Sequence, residues 1–548
     1  MLDGLSPSRR DGLRGAAIVV LTLAAYLPVL DGGFVWDDAA HLIENIVLEE
    51  KGLYRVWLTT ESMVYYPVVW TSYWLEHQLW DLEPAGYHIV NVLLHAAGAL
   101  LVWRILLRLG VPGAWLAALL FALHPVNVET AAWITQRKNT LCFVFYALSI
   151  LLFLRYEDED RGASLGYGAA IGSFLFSMLS KGAGATLPFV LLLLAWWRRG
   201  RITRRDLSNA LPFLAVSICI SLLEIGFQYG NAIGAEVVHQ EGLAARLAGA
   251  GWIACFYLYK ALWPLSLSFV YPRWEVDPGD PVAWLPTLLV ALAFFLCWRM
   301  RQRWGRAPLT VLAYFLLALA PVLGFFDFYY MMYSLVGDHY QYVAIVAVIA
   351  GAVGGATALA ARLAAAPRRG LAAASTLVIL FFFALTWQRS TVFADGETLW
   401  RDAIAKNPDA FLAHYNLGII LQDRGAHQEA AHHYRAVLRT RPYSERARNN
   451  LGSALLATGA LDEAIAQFEL AIRSRPDSVE AHNNLGNALR DAGRLEEAED
   501  RYRHCIALDP SVAAAHRNLA GVLRMQGRYA EAKRELGAAR RLKAATAP

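Results

Sequence analysis

The chain has 548 residues, of which 57% are hydrophobic, 18% are charged and 12% are aromatic. An ordinary globular domain carries about 25% charged residues, so the composition excludes both intrinsic disorder and a wholly soluble enzyme. Five cysteines are too few for a disulfide-stapled secreted scaffold. A net charge of +4 is too small to indicate a nucleic-acid partner.

The first 390 residues consist of apolar segments separated by short charged links. A membrane span needs about 20 apolar residues to cross about 30 Å of hydrocarbon. We therefore predict that residues 1–390 form an integral-membrane helix bundle. The candidate spans are residues 15–30, 87–107, 113–131, 139–155, 164–180, 183–197, 207–224, 246–264, 282–298, 307–325, 340–360 and 370–388.

Arginine clusters between these segments predict which helix ends face the cytoplasm. The clusters are Arg9, Arg10 and Arg14; Arg104 and Arg108; Arg198, Arg199, Arg201, Arg204 and Arg205; Arg299, Arg301, Arg303 and Arg306; and Arg362, Arg368 and Arg369. Two clusters on one side must be separated by an even number of crossings, so the weakest candidate, 246–264, is interpreted as re-entrant or interfacial. About eleven crossings remain, and they place everything after residue 389 on the external side. Almost all of the 50 basic residues are arginine, which favours a bacterial source and hence the inner membrane, with the repeats on the periplasmic side.

The remainder of the chain, residues 391–548, repeats with a period of 34 residues. The positions in register are Pro408, Pro442, Pro476 and Pro510; Leu417, Leu451, Leu485 and Leu519; Gly425, Gly459, Gly493 and Gly527; Ala430, Ala464, Ala498 and Ala532; and Tyr434, Phe468 and Tyr502. This order and period are typical of the tetratricopeptide repeat, a helix pair that stacks into a superhelix. We predict repeats at 409–442, 443–476, 477–510 and 511–544, after a half repeat at 393–408 that contains Trp400. The predicted fold class is therefore all-α, a polytopic membrane bundle followed by an α-solenoid.

The candidate functional residues lie on segments predicted to be external. Asp37 and Asp38 follow the first span, and Arg137 and Lys138 place positive charge on the side where it is unusual. An anionic partner such as a phosphate would explain that placement. Alternatively, Glu129 and Arg137 pair with each other. Ionisable residues at span ends are functional-site candidates by default, and the others are His124, Lys181, Asp338 and His339.

Short motifs run through most of the membrane segment in a specific order. They are Val35-Trp36-Asp37-Asp38; Tyr65-Tyr66-Pro67; His124-Pro125 with Glu129; Trp133-Ile134 with Arg137-Lys138-Asn139; Ser180-Lys181-Gly182; Tyr271-Pro272-Arg273-Trp274; and Asp338-His339-Tyr340-Gln341-Tyr342. Together with the repeats, they resemble the transmembrane-and-tetratricopeptide-repeat O-mannosyltransferases and their bacterial relatives. These proteins belong to the GT-C superfamily of membrane glycosyltransferases.

The resemblance implies transfer of a sugar, with mannose favoured, from a polyprenyl-phosphate donor to a protein hydroxyl on the external face. It implies that Asp37 is the base that deprotonates the acceptor, with Asp38 as its partner. The two carboxylates are also candidates to share a divalent cation, Mg²⁺ or Mn²⁺. Arg137, Lys138 and Lys181 are expected to bind the donor phosphate. The second-tier candidates are His124, Glu129, Asp338, His339 and Tyr66, of which Tyr66 is equally well interpreted as an interfacial aromatic residue.

A second class of function stays open, a non-catalytic membrane-anchored adaptor for envelope protein complexes. In both hypotheses the repeats bind a protein or peptide, which in the enzyme is the acceptor or a partner. The other expected partners are the lipid-linked sugar and membrane lipids, and no nucleic acid is expected. Convergence of Asp37, Arg137 and Lys138 on one external cavity would favour the enzyme.

Overall fold

The computed structural model describes residues 6–42, 52–59, 64–158, 164–233, 241–363 and 365–545. Within these ranges the chain is helical, without any β-strand. It divides into two compact units, Met1–Asp402 and Ala403–Pro548. Residues 43–51 and 60–63 of the predicted first loop lie outside the described residues, as do the side chains of Arg368 and Arg369.

The helices of the first unit follow the apolar segments of the sequence. Prolines occupy the first turn of several of them, where a missing backbone N–H costs nothing. The helices are α1 Pro7–Ala25, α2 Asp38–Leu42, α3 Gly52–Leu58, α4 Pro67–Trp80, α5 Pro84–Arg108, α6 Ala114–Ala122, α7 Val128–Ala132, α8 Arg137–Asp158, α9 Ser164–Met178, α10 Leu187–Arg199, α11 Arg204–Phe227, α12 Leu243–Leu262, α13 Leu285–Arg299, α14 Ala307–Leu319, α15 Ile345–Ala360 and α16 Ala365–Ser390.

Several helices have the length and composition of membrane spans. Five described segments are long and apolar enough to cross a bilayer: Pro84–Arg108, Ile134–Asp158, Arg204–Gly230, Pro281–Arg299 and Gly370–Phe393. Three shorter apolar helices accompany them: Leu165–Met178, Ala307–Val322 and Ile345–Ala360. The number of crossings, about eleven from the sequence, therefore remains a prediction, and so does the interfacial interpretation of the segment that forms α12.

The candidate span at 113–131 is broken, not continuous. Helix α6 ends before His124-Pro125, a 3₁₀ turn follows at Pro125–Asn127, and α7 continues after a bend of 47°. Proline disfavours the helical conformation of the residue before it and has no N–H for the helix ladder. The break leaves α7 with its polar residues beside the start of α8.

Contacts at the far end of α8 join the arginine clusters. Asp158 accepts hydrogen bonds from Arg108 at 2.7 Å and Arg198 at 2.6 Å. Arg137 and Lys138 lie at the other end of this 22-residue helix, which is about 33 Å long. The arginine clusters that contain Arg108 and Arg198 thus lie at the opposite end of α8 from Arg137 and Lys138. Which end faces the cytoplasm remains a prediction.

The second unit contains the predicted repeats as four helix pairs. Glycine at the turn of each pair adopts a positive φ of 77–81°. In the first three pairs, the first helix also carries glycine where the aromatic ring of the second helix approaches, and a Cβ on Gly418 would lie 2.7 Å from Tyr434. The helices are α18 Phe411–Asp423, α19 His427–Thr440, α20 Glu445–Ala457, α21 Leu461–Ser474, α22 Val479–Asp491, α23 Leu495–Leu508, α24 Ala513–Met525 and α25 Tyr529–Ala545.

The half repeat predicted at 393–408 contains a helix shorter than that range. A 3₁₀ turn occupies Thr391–Phe393, and α17 spans Gly396–Lys406. The side chain of Asp395 accepts a hydrogen bond from the backbone N–H of Thr398 at 2.8 Å, which caps the helix start. Helix α17 crosses the division between the two units.

Candidate functional site

The two adjacent aspartates have different environments. Asp37 is 24% exposed, and its Oδ1 accepts hydrogen bonds from Trp133 Nε1 at 3.1 Å and Thr135 Oγ1 at 2.8 Å. Asp38 is fully buried and accepts backbone N–H groups from Val35 at 3.0 Å and Thr135 at 2.9 Å. Burial, and secondarily the Asp37 charge, raise the pKa of Asp38 to about 8. Asp37 is therefore the carboxyl group that can meet a substrate, and Asp38 fixes the loop.

Lys138 lies near Asp37, and Lys181 lies near Lys138. The Lys138 ammonium lies 5.7 Å from the ring centre of Trp133, the same indole that donates to Asp37. Lys181 donates a hydrogen bond to Asn139 at 2.8 Å. Burial, and then the charge of Lys138, lower the pKa of Lys181 to about 7. Two ammonium groups that repel each other beside a carboxylate favour the binding of an anion.

His41 lies on the other side of Asp37. Its Nδ1 contacts the backbone oxygen of Asp37 at 2.8 Å, and its ring stacks on Trp70. Burial lowers the pKa of His41, the Asp37 charge opposes this, and Lys138 adds to it. The direction of these effects indicates that Asp37, His41 and Lys138 act on one another electrostatically.

A second buried polar group lies next to the lysines. His339 Nδ1 contacts Glu129 Oε1, and Tyr271 donates a hydrogen bond to Asp338 at 2.9 Å. Burial lowers the pKa of His339, and the charges of Lys181 and Lys138 lower it further. These second-tier candidates are thus neighbours of the lysine pair, and Glu129 pairs with His339 and not with Arg137.

Arg137 is not placed where the sequence suggested. It is fully buried and forms a forked ion pair with Glu76, with Nη2 to Oε2 at 3.0 Å. Its remaining N–H groups donate to Asn91, to Ser72 at 3.2 Å and to the carbonyl oxygen of Tyr87 at 2.9 Å. With all its donors used, Arg137 has none left for a phosphate, and its role is to join α4, α5 and α8.

The remaining candidates divide between structure and site. His124 is buried at the helix break, where Nε2 contacts the carbonyl oxygen of Ala261 at 3.0 Å and Nδ1 accepts the N–H of Val126 at 3.3 Å.

The Tyr66 hydroxyl donates a hydrogen bond to the Glu224 carboxylate, and burial and this carboxylate raise the pKa of Tyr66. Glu224 also accepts the N–H of Gly182 at 3.3 Å. His124 is therefore structural, whereas Tyr66 lies beside the Lys181 loop.

Sequence reasoning missed several residues of this site. Glu224 had a detectable signal, because a carboxylate near the end of an apolar helix is a functional candidate. Thr135 had none, and Trp133 and Asn139 stood in a motif without an assigned role, because uncharged side chains gain a role only from the neighbours that folding brings to them.

The carboxylates do not fit a shared divalent cation. Both oxygens of Asp38 accept backbone N–H groups, and Oδ1 of Asp37 already accepts two donors. A hard cation needs several free oxygen ligands. Across the described ranges, no group of three or more His, Cys, Asp or Glu side chains is arranged to hold a metal ion. We therefore derive no step through a metal.

Two known protein families match parts of the chain. Residues 67–224 match the dolichyl-phosphate-mannose-protein mannosyltransferase family. Residues 389–445, 421–479, 449–504 and 483–545 match the tetratricopeptide repeat family.

Two known protein O-mannosyl-transferases and one solved structure are similar to the chain. A protein O-mannosyl-transferase of Caenorhabditis elegans is 24% identical over 80% of this chain and 64% of its own length. The protein O-mannosyl-transferase TMTC2 of Mus musculus is 34% identical over 30% of this chain and 22% of its own length. The chain thus spans less than two thirds of these relatives. The crystal structure of MamA has 18% identity and a TM-score of 0.26, and the match covers 28% of this chain and 91% of MamA.

These matches confirm the resemblance seen in the sequence. The chain is a relative of the transmembrane-and-tetratricopeptide-repeat O-mannosyltransferases. The mannosyltransferase match includes Lys138, Lys181 and Glu224 but begins after Asp37.

Proposed function

We propose that this protein transfers a sugar, with mannose favoured, from a polyprenyl-phosphate donor to a hydroxyl group of a protein. Similarity to protein O-mannosyl-transferases supports the class of reaction. The polyprenyl-phosphate donor, the sugar and the external location of the reaction are parts of the proposal.

The observation that carries the proposal is that Asp37 and Lys138 both contact the indole ring of Trp133. Asp37 is a partly exposed carboxylate held by Trp133 and Thr135, and Lys138 lies over Trp133. A transferase of this kind needs a base for the acceptor and a cation for the departing phosphate. Trp133 contacts both groups, which supports a shared site for the base and the cation.

The reaction proceeds by one displacement at the anomeric carbon. The acceptor oxygen forms a bond to this carbon as the bond to the phosphate oxygen breaks, with inversion. The hydroxyl proton passes to Asp37, a transfer typically worth about 10²–10⁴-fold. The departing lipid phosphate keeps the bonding electron pair, and Lys138 and Lys181 stabilise its charge.

We further propose that the repeats bind the protein acceptor or a partner, because helix-pair arrays offer extended concave surfaces to other chains. On the orientation predicted from the arginine clusters, the repeats and the site share the external face of a bacterial inner membrane. A reporter fused after Pro548 tests this location, and one that is active only in the cytoplasm would contradict it.

The function is tested by incubating the full-length protein with polyprenyl-phosphate sugars and a periplasmic extract. We expect sugar transfer by the wild type and a loss of about 10²–10⁴-fold in Asp37→Asn. Glu275→Gln, which changes an exposed carboxylate elsewhere in the first unit, is the matched control. Failure to transfer from any donor would favour the adaptor, and near-normal transfer by Asp37→Asn would remove Asp37 from its role.

A further inference from the structure

The residue before Asp37 is held in a strained conformation. Trp36 has a φ of 47°, a left-handed value that is unfavourable for a residue with a Cβ. Such strain persists only where surrounding groups enforce it. Directly after Trp36, the side chain of Asp37 is partly exposed and that of Asp38 is buried.

The groups that enforce it are aromatic and come from distant parts of the chain. The Trp36 ring stacks on Trp133 with centres 5.3 Å apart and meets Phe269 edge-on at 5.6 Å. It also meets the ring of Trp400 edge-on at 6.1 Å. Trp400 is 1% exposed and packs on Phe269 at 5.4 Å.

The segment that carries Trp400 holds the aspartate loop at a second point. The N–H of Gly33 donates to the carbonyl oxygen of Ala394 at 2.8 Å. A Cβ on Gly32 would lie 3.1 Å from the carbonyl oxygen of Phe393, so the two backbones are in close contact. Arg389 donates to Asp402 at 2.7 Å, which ties the end of α16 to α17. We call residues 389–402 the clasp.

We propose that the clasp, through Trp400, is a positioning element for Asp37. The proposal rests on the proposed function, in which Asp37 is the base. Trp400 and the carbonyl oxygen of Ala394 hold Trp36 in its left-handed conformation, and this conformation aims the Asp37 carboxylate. Helix α17, which the repeat period predicts to be half a repeat, is thus part of the catalytic unit.

The clasp can be tested without turnover by amide hydrogen exchange on the full-length protein. Trp400→Leu removes the ring beside Trp36, so we expect the amides of Gly33 and Val35 to exchange at least tenfold faster. Trp400→Phe keeps an aromatic ring and should restore protection. Phe213→Leu is the matched control, because Phe213 is also fully buried but packs against Phe153 and Phe174.

The kinetic test uses polyprenyl-phosphate mannose and a short peptide rich in serine and threonine. We expect kcat to fall 10- to 100-fold in Trp400→Leu with little change in the KM for the peptide, and to recover in Trp400→Phe. If Trp400 acts through Asp37, Asp37→Asn with Trp400→Leu should be no slower than Asp37→Asn alone. If Trp400→Leu does not fold, Trp36→Gly replaces it, because glycine keeps the left-handed conformation without the ring.

The outcomes separate the clasp from the proposed function. Normal exchange and normal rates in Trp400→Leu, with Asp37→Asn inactive, would overturn the clasp and leave the function standing. Additive effects of the two substitutions would show that Trp400 acts on something other than Asp37. If the wild type transfers sugar from no donor, amide exchange alone tests the clasp. Faster exchange at Gly33 and Val35 in Trp400→Leu then supports the clasp, and unchanged exchange overturns it.

Discussion

Asp37 and Asp38 are neighbours in sequence, yet their surroundings assign them different tasks. Asp37 keeps an exposed face, whereas Asp38 is buried and holds Val35 and Thr135 through their backbone N–H groups. The raised pKa of Asp38 means that this carboxyl group is mostly protonated at neutral pH. An amide at position 38 keeps the shape of the side chain and has no proton to lose, but its NH2 group cannot accept the second of the two N–H groups that Asp38 binds.

We predict that Asp38→Asn gains stability relative to the wild type as the pH rises. With a folded pKa of about 8, native Asp38 keeps a proton that the unfolded chain has lost above about pH 4. The stability of the wild type therefore falls between these pH values, and asparagine has no such proton to lose. Thermal unfolding of both proteins at pH 5.5 and 8 measures the effect. An unfolding midpoint of Asp38→Asn that falls relative to that of the wild type between pH 5.5 and pH 8 would contradict the prediction.

Lys181 predicts a second pH dependence, this time of activity. Its pKa is lowered to about 7 by burial and by Lys138, so the free enzyme loses this positive charge as the pH rises through 7. We expect kcat/KM for a polyprenyl-phosphate sugar to fall above pH 7, because that ratio reports groups of the free enzyme. In Lys181→Arg the guanidinium stays charged, and the fall should disappear. An unchanged fall in Lys181→Arg would assign it to another group.

Among the helices, α4, α5 and α8 meet through one buried ion pair. Arg137 on α8 reaches Glu76 on α4 and the carbonyl oxygen of Tyr87 on α5. Burial raises the pKa of Glu76, and the Arg137 charge opposes this rise. Removing one partner of such a pair leaves the other charge buried, unpaired and poorly solvated.

We predict that Glu76→Gln destabilises the first unit by about 3–5 kcal/mol, the usual cost of breaking a buried pair. The double substitution Glu76→Leu with Arg137→Met removes both charges and should recover most of the loss. Denaturation of the purified protein in detergent measures both effects. If the double variant retains transfer to a short peptide, Arg137 has no direct part in binding phosphate. Loss of transfer with stability restored would return Arg137 to the site.

The sequence predicted the repeat helices well because each repeat contacts mainly its neighbours along the chain. Helices α18, α20, α22 and α24 begin 34 residues apart, at the same point of each period. The unusual placement of positive charge made Arg137 and Lys138 equally good candidates for phosphate binding. Adjacent residues of a helix, however, point about 100° apart. One of them enters the bundle, and the other faces Trp133. Residue spacing along α8 cannot show which of the two enters the bundle, because this depends on Glu76 and Trp133, which lie outside α8.

At the scale of the whole molecule, the boundary between the proposed catalytic unit and the repeats falls within α17. The period of 34 residues assigns Trp400 to the repeats, whereas the compact division of the chain falls after Asp402. Since Trp400 packs on Trp36 and Phe269, a flexible insertion should have different consequences on the two sides of α17.

We predict that a Gly/Ser linker between Arg389 and Phe393 impairs transfer to both a protein acceptor and a short peptide, because it opens the clasp. The same linker inserted at Asp409, after α17, leaves the clasp intact. It should impair transfer only to the protein acceptor, because it lowers the effective concentration of an acceptor bound to the repeats. Initial rates with both acceptors measure the two effects, and thermal unfolding of each protein controls for folding. Equal rates for the Asp409 insertion and the wild type on the protein acceptor would show that the repeats serve another partner. Impairment of the peptide reaction by the Asp409 insertion would extend the catalytic unit past α17.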